Sequence, residues 1–263
     1  LVFRLIKDDP EDLEEQADFD LLEERFLAYP ALAIGQSHTA VNGMAKKARK
    51  NINRALSLLG DYSQDKYNKV QEKENLIDKY EDKLGTYLVK ITGVELKESQ
   101  TRDVSLILHT IGDFERIGDH AVNIADLAAE LNEKKVKFSK DAVRELKTLH
   151  SAINDILNLT MEAYTENDLA KAFKVEPLEE VIDHLCYDLR ARHINRVQSG
   201  HCTLNQGFIF NDLIANYERI ADYCSNIAVA MIELNSDVFD THKYLNSLKE
   251  IDNAEFLKYY DDY

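Results

Sequence analysis

A chain of 263 residues is long enough to bury either one large helical core or two smaller ones. Its formal charge of -16 excludes a nucleic-acid backbone and an anionic bilayer surface as general partners, and it makes cations the natural counterpart. Glycine and proline are scarce, tryptophan is absent, and apolar residues recur at spacings of three and four instead of alternating, so the fold class is all-α.

Residues 1–29 begin apolar with "LVFRLI" and turn acidic through "KDDPEDLEEQADFD", the composition of a linker with weak helical tendency. Packing is expected from Pro30. From there to about Leu59 a helical pattern runs through Ala33, Val41, Met44, Ala48, Ile52 and Ala55, with Gly60 placed to take a left-handed cap. The basic run "KKARKNINR", Lys46 to Arg54, reads as a solvated face of that helix. Ser63 caps a second helix, which carries Val70, Ile77, Tyr80, Leu84 and Leu88 to about Ile91. Gly93 and the polar "KESQT" separate it from a third, from about Thr101 to Asn132. The layout then recurs. A helix opens at Ser139 and runs to about Tyr164, "TEND" turns the chain, a helix extends from Leu169 to about Val197, and after "QSGHCTLNQG" the last covers Phe208 to Asn235.

The recurrence extends to the letters. "FERIGDHAVNIA", residues 114–125, returns as "YERIADYCSNIA", residues 217–228, laying Glu115 on Glu218, Asp119 on Asp222 and Asn123 on Asn226. The chain therefore divides into a linker (1–29), a three-helix unit (30–134), a second unit (137–238) and an aromatic, acidic tail (239–263) without a counterpart. A pseudo-twofold axis relating two helical bundles is the expected arrangement.

Glu115 and Asp119 stand four residues apart on one helix, so their side chains share a face about 6 Å apart. Glu218 and Asp222 do the same. With 48 acidic residues, roughly nine such pairs arise by chance, so spacing alone carries nothing. Register carries more: on the second helices Glu74 lies on Glu179 and Asp78 on Asp183. Consecutive helices with a short connection are antiparallel neighbours, so each half can offer four carboxylates to one place. Repulsion between such acids becomes a gain only when a cation bridges them. An all-oxygen donor set favours Mg, Mn, Ca or Fe and weighs against a thiolate zinc site.

Other residues near the acids read more blandly. His120 and His184 each follow an aspartate and point about 100° away from it, so they are expected to be exposed or to support a ligand from behind. Arg116 and Arg219 are placed to neutralise neighbouring acids, Asn123 and Asn226 to orient the site, and Gly118 to allow close helix contact. Cys186, Cys202 and Cys224 are odd in number and form no Cys-x-x-Cys pair, which suits a reducing, cytoplasmic compartment, with Cys186 and Cys224 expected in the core. No run of roughly 18 uncharged apolar residues or signal-peptide pattern is found, and the start at "LVFRLI" reads as a cut from something longer.

At the paired Glu-x-x-x-Asp motifs the chain resembles the PhoU family of phosphate-uptake regulators, over residues 30–238. "FERIGDHAVNIA" and "YERIADYCSNIA" match that family's third-helix signature, and "ENLID" and "EEVID" match its second-helix motif more loosely. The resemblance implies metal clusters on the bundle surface, one at Glu74, Asp78, Glu115 and Asp119, the other at Glu179, Asp183, Glu218 and Asp222, with Fe, Mn or Mg as the ion. "LLEERFLAYPALAIGQSHTAVNGMA" looks like the segment joining the membrane part of bacterial sodium/phosphate cotransporters to a cytosolic PhoU-like domain. The implied partners are that membrane part of the same polypeptide, phosphate held through bound metal, and a second copy in a homodimer.

Three functions follow in order. The first is a non-enzymatic, metal-binding regulatory domain of a sodium-dependent phosphate transporter. The second is a metal-dependent phosphohydrolase, against which stands the lack of a separate general base, a Gly-rich phosphate loop or a nucleophile beside a histidine. The third is a helical scaffold or signalling adaptor whose acids are simply solvated.

Overall fold

In the computed structural model, residues 19–235 and 254–263 are described. The first 18 positions of the expected linker and the first part of the tail, to residue 253, lie outside that range. A 3-10 helix at Glu24–Ala28 precedes α1 (Pro30–Leu58), α2 (Gln64–Ile91), α3 (Glu98–Glu133), α4 (Lys140–Glu166), α5 (Leu169–Ala172), α6 (Val175–Gln198), α7 (Leu204–Asn235) and α8 (Ala254–Asp262). No helix among the described residues is long and apolar enough to cross a membrane.

Local chemistry accounts for most boundaries. Pro30 stands in the first turn of α1, where its missing N–H costs nothing. Ser63 and Ser139 each accept the backbone N–H three residues on, from Lys66 and Ala142 at 3.2 Å, as N-caps do. Thr203 and Gln206 form a reciprocal capping box at the start of α7: Gln206 N–H donates to Thr203 Oγ1 and Thr203 N–H to Gln206 Oε1. Asn167 closes α4 in the left-handed conformation, at φ 51°.

Two expectations are corrected. Gly60 does not adopt a left-handed cap: among the described glycines only Gly200 has positive φ, and α1 ends instead on tight bonds from Leu59 and Gly60 N–H to the carbonyls of Leu56 and Ser57. The helix expected from Leu169 to Val197 is broken into α5 and α6. Pro177 has no N–H to offer the Phe173 carbonyl four residues back, so the backbone turns at Phe173 and Lys174 before α6 begins.

Helices α1 to α3 form one three-helix unit; α4, α6 and α7 form the second, and α3 packs along α7 between them. The all-α, tandem arrangement is thus observed. Each unit has its own apolar interior, around Met44, Ile77, Tyr80, Ile107 and Phe114 in one and Leu149, Ile182, Phe210, Tyr217 and Met231 in the other, and these merge in one core. At the seam Phe114 meets the Tyr164 ring edge-on at 5.0 Å, and the Tyr164 hydroxyl bonds Thr110 at 3.0 Å. Arg49, from the basic run on α1, donates to Asn158 of α4 at 2.9 Å, so that run is not wholly a solvated face. The close contact expected at Gly118 is present, because a Cβ there would lie 3.1 Å from Ile77 Cδ1.

Both ends of the described chain pack against the bundle. Phe19 packs on Tyr80 with tilted rings 4.6 Å apart, beneath the Lys83 ammonium, which brings packing forward of Pro30. In the tail, α8 lies against α6, with Phe256 edge-on to His184 and Tyr263 bonded to Asp155.

Candidate metal centres

The acids of α2 project from the turns before Ile77 and Tyr80, two fully buried residues that fix the rotation of the helix. On α3 the same service comes from Phe114, Ile117, Gly118 and Ala121, which face the core and leave Glu115 and Asp119 at its edge. As Gly118 lets α3 approach α2 closely, Glu74, Asp78 and Asp119 each bring a carboxylate oxygen within 4.8 Å of the others. In the second unit Ile182, Cys186, Tyr217, Ile220 and Ala221 play the corresponding part, and Glu179, Asp183 and Asp222 gather within the same 4.8 Å.

Six of the eight expected acids are therefore brought together as two equivalent triads. Glu115 and Glu218 lie outside them, for different reasons. Glu115 stays beside its cluster, where it feels the charges of Asp119 and Asp78. Glu218 is held by Arg190 of α6, through a guanidinium fork with one branch at 3.3 Å and a second, shorter one between Nη2 and Oε2.

Electrostatics in both places is that of negative charge confined without enough positive charge. Burial, then Asp78, pushes the Glu74 carboxyl up to about 7. Burial, then Asp119 and Asp78, pushes Glu115 to about 7 despite Arg116. Burial also raises Asp119, with Asp78 adding to it. In the second unit Glu179 is only 8% exposed, and burial followed by the charge of Asp183 lifts it to about 9. Asp183 is raised to about 6 by burial, then by Glu218 and Asp222. One oxygen of Asp78 and one of Asp183 are buried with no hydrogen-bond partner. Orphaned carboxylate oxygens that face other carboxylates are what a hard cation satisfies, and the donor set fits Mg, Mn or Fe.

The supporting residues divide. Arg219 does neutralise an acid, pairing with Asp222 at 3.0 Å. His120 is not exposed: it is half-buried at the seam, where Nδ1 meets Asn216 Oδ1 at 2.7 Å and the ring lies 5.7 Å from Tyr223. Asn123 reaches His120 at 3.5 Å and Asn226 donates to Asp113, so the hydrogen bonds of both asparagines lie at the seam between the units. The residues correspond under the duplication, Asn123 to Asn226 and Asp113 to Asn216, but their bonds differ, because His120 stands where the second unit has Tyr223. His184 is exposed, with Phe256 edge-on to its ring. Cys186 and Cys224 are buried, and burial, against the lowering effect of Thr160, pushes the Cys224 thiol up to about 12.

Three residues with a bearing on the site were not foreseen. Glu176, buried at 7% exposure, forms a short hydrogen bond with Ser225 and clusters with Glu179 and Glu180. Arg190 captures Glu218. Asp113 is pushed to about 6 by burial, against the lowering effect of Asn226 and Arg116. The spacing carried a signal for the first two, because Glu176, Glu179, Asp183, Tyr187 and Arg190 recur at three and four along one face of α6. A cavity of about 370 Å³ opens beside this face, lined by Glu176, Glu179, Arg219, Asp222, Ser225 and Asn226 among others.

Comparison with known proteins places the geometry in a context. The family model described as "PhoU domain" matches twice, at residues 41–128 and 146–231. The phosphate-specific transport system accessory protein PhoU homolog 1 of Thermotoga maritima is 26% identical over 200 residues, spanning 74% of this chain and 84% of the relative. The corresponding homolog of Clostridium acetobutylicum is 23% identical over 199 residues, spanning 75% and 90%. Among solved structures, PhoU from Pseudomonas aeruginosa superposes with a TM-score of 0.71 at 22% identity, covering 80% of this chain and 98% of that one. The phosphate transport system regulatory protein PhoU from Streptococcus pneumoniae gives 0.68 at 20% identity, covering 88% and 99%. At these identities the structural likeness speaks to the fold.

Proposed function

The chain belongs to the PhoU domain family, and from that premise we propose that it regulates phosphate uptake, without catalysis, through cations held at two carboxylate clusters. The observation that carries this reading is the recurrence of a carboxylate triad at equivalent places in the two matched segments, each with an orphaned buried aspartate oxygen. The relatives named as phosphate-specific transport accessory proteins support the phosphate part.

In this reading Glu74, Asp78 and Asp119, with Glu115 beside them, hold one ion or group of ions, and Glu179, Asp183 and Asp222 hold the other. A bound Fe, Mn or Mg ion supplies positive charge in an otherwise anionic surface and, with coordination positions left open, a place for phosphate oxygens. The protein's own contribution is to converge the carboxylates from two helices each and to keep them buried enough that water competes poorly. The segment from Leu21 to Ala45 supports the further reading that the chain is the cytosolic regulatory part of a sodium-dependent phosphate transporter, with the transporter's membrane part as its partner.

Elemental analysis of the purified protein, then equilibrium dialysis with phosphate, tests this directly. Bound Mn or Fe is expected in the wild type, with phosphate retained only when the metal is present. A variant combining Asp78→Asn, Asp119→Asn, Glu179→Gln and Asp222→Asn is expected to lose both. A wild-type chain that keeps its fold and binds no Mn, Fe or Mg at physiological levels overturns the proposal, while turnover of phosphoesters lost in the same variant would favour the hydrolase instead.

A further inference from the structure

The two clusters occupy equivalent places, yet the residues around them have diverged. In the first unit the position equivalent to Arg190 is Gly85, where a Cβ would meet only Ile111 Cδ1 at 3.8 Å, so nothing there reaches Glu115. In the second unit Arg190 closes on Glu218 with both guanidinium branches and also lowers Asp183, so it is close enough to act on the triad. At the other end of the face the divergence runs the opposite way. Glu176 and Glu180 stand where the first unit has Gln71 and Asn75, both neutral. The cavity lies at that end: it is lined by Glu176, Glu179 and Asp222 together with Arg219, and Asp183 and Glu218 are both absent from its walls.

Resting on the metal-binding reading above, we propose that the cation site of the second unit is displaced by one helical turn relative to the first. Glu176 takes the place of Glu218 as a ligand beside Glu179 and Asp222, and the Arg190 guanidinium is a built-in cation that occupies the end left behind, next to Asp183. Glu179 is the pivot. It is only 8% exposed, its carboxylate has no hydrogen-bond or ion-pair partner among the described residues, and it offers an oxygen within 4.8 Å of acids on both sides, in the Glu176 and Glu180 group and in the Asp183 and Asp222 group. An unpartnered buried carboxylate shared between two acidic groups calls for a positive ligand between them. Arg190 cannot fill that role, because it stands about three turns from Glu179 along α6 and its fork is already spent on Glu218 of α7. The consequence is two inequivalent sites: the first is a four-acid site open along its length, and the second is shorter at one end, longer at the other, and already partly neutralised.

The test uses the full chain with its first cluster neutralised by Asp78→Asn with Asp119→Asn, so that Mn²⁺ titrated calorimetrically and followed by electron paramagnetic resonance reports the second site alone. Glu176→Gln is expected to weaken Mn²⁺ binding at least tenfold. Glu218→Gln is expected to change it less than about threefold, and Arg190→Gln to tighten it, as removal of a nearby positive charge does. Helical circular dichroism and the unfolding midpoint of each variant confirm that it remains folded. Equal or greater loss from Glu218→Gln than from Glu176→Gln overturns the displacement. No Mn²⁺ binding in the Asp78→Asn, Asp119→Asn chain, where the wild type binds, also overturns it while sparing the first site. No binding in the wild type removes the reading on which it rests.

Discussion

Raising the pH of the metal-free protein from 7 to 9 should destabilise it, and the structure sets the size. The folded state holds the Glu179 carboxyl at about 9, against an ordinary value of 4.5. For an acid whose folded value is raised, the folded chain carries more protons than the unfolded one between the two values, so stability falls as pH rises through that window. A full proton difference changes stability by about 1.36 kcal/mol per pH unit. From pH 7, where Glu179 is protonated, to pH 9, where it is half ionised, the loss comes to about 2 kcal/mol, a sizeable part of a typical 5 to 15 kcal/mol domain stability. Glu74 and Glu115, both at about 7, add to the loss with the same sign. The histidines lowered by burial, His38, His120, His150 and His193, act in the opposite direction, but their effect fades within about one unit above the ordinary histidine value of 6.5. Urea unfolding in chelator, followed by circular dichroism at pH 7, 8 and 9, reads the slope. Glu179→Gln should remove most of it, and saturating Mn²⁺ should raise the midpoint more at pH 9 than at pH 7, since the ionised cluster binds the ion. A metal-free midpoint that is flat or rises between pH 7 and 9 refutes the argument.

Gly118→Val sets two methyl carbons against Ile77, whose Cδ1 already lies 3.1 Å from a bare Cβ, and should cost about 1 to 3 kcal/mol, read as a lower thermal midpoint and weaker cation binding at the first cluster. Asn216→Ala removes the 2.7 Å partner of half-buried His120 at the seam and should cost about 1 kcal/mol by urea unfolding, with the two units remaining folded. Ser63→Ala deletes the N-cap of α2 and should cost about 1 kcal/mol without altering cation binding, because the cap lies more than two turns before Glu74.

The helices were legible where chemistry is local. Ser63, Ser139 and Pro30 mark their starts because caps and first-turn prolines act within one turn. Pro177 is equally local, yet the apolar pattern that runs through it unbroken hides it, while the missing N–H four residues beyond Phe173 breaks the backbone. Gly60 misled for the converse reason, since a glycine permits positive φ without requiring it. The acids of the two triads could be read from spacing and duplication, because position along a helix decides which face a side chain shares. What position does not decide is the choice between partners once a side chain is there. Glu218 stands on the proper face and turns to Arg190, and Asn226 stands one turn beyond Asp222 and turns across the seam to Asp113.

That difference between place and partner explains how the two units diverged. Core positions are constrained from all sides: Ile77 and Ile182, Phe114 and Tyr217, and Gly118 and Ala221 are all buried in equivalent places and differ little in bulk. Positions on the open face of the second and third helices answer to fewer neighbours, and there Gly85 faces Arg190, Gln71 faces Glu176 and Asn75 faces Glu180 under the duplication. Each exchange changes charge while leaving the packing behind it intact. A duplicated bundle can therefore hold its carboxylate scaffold constant and set the net charge of each copy separately, through the residues at the two ends of one helix face.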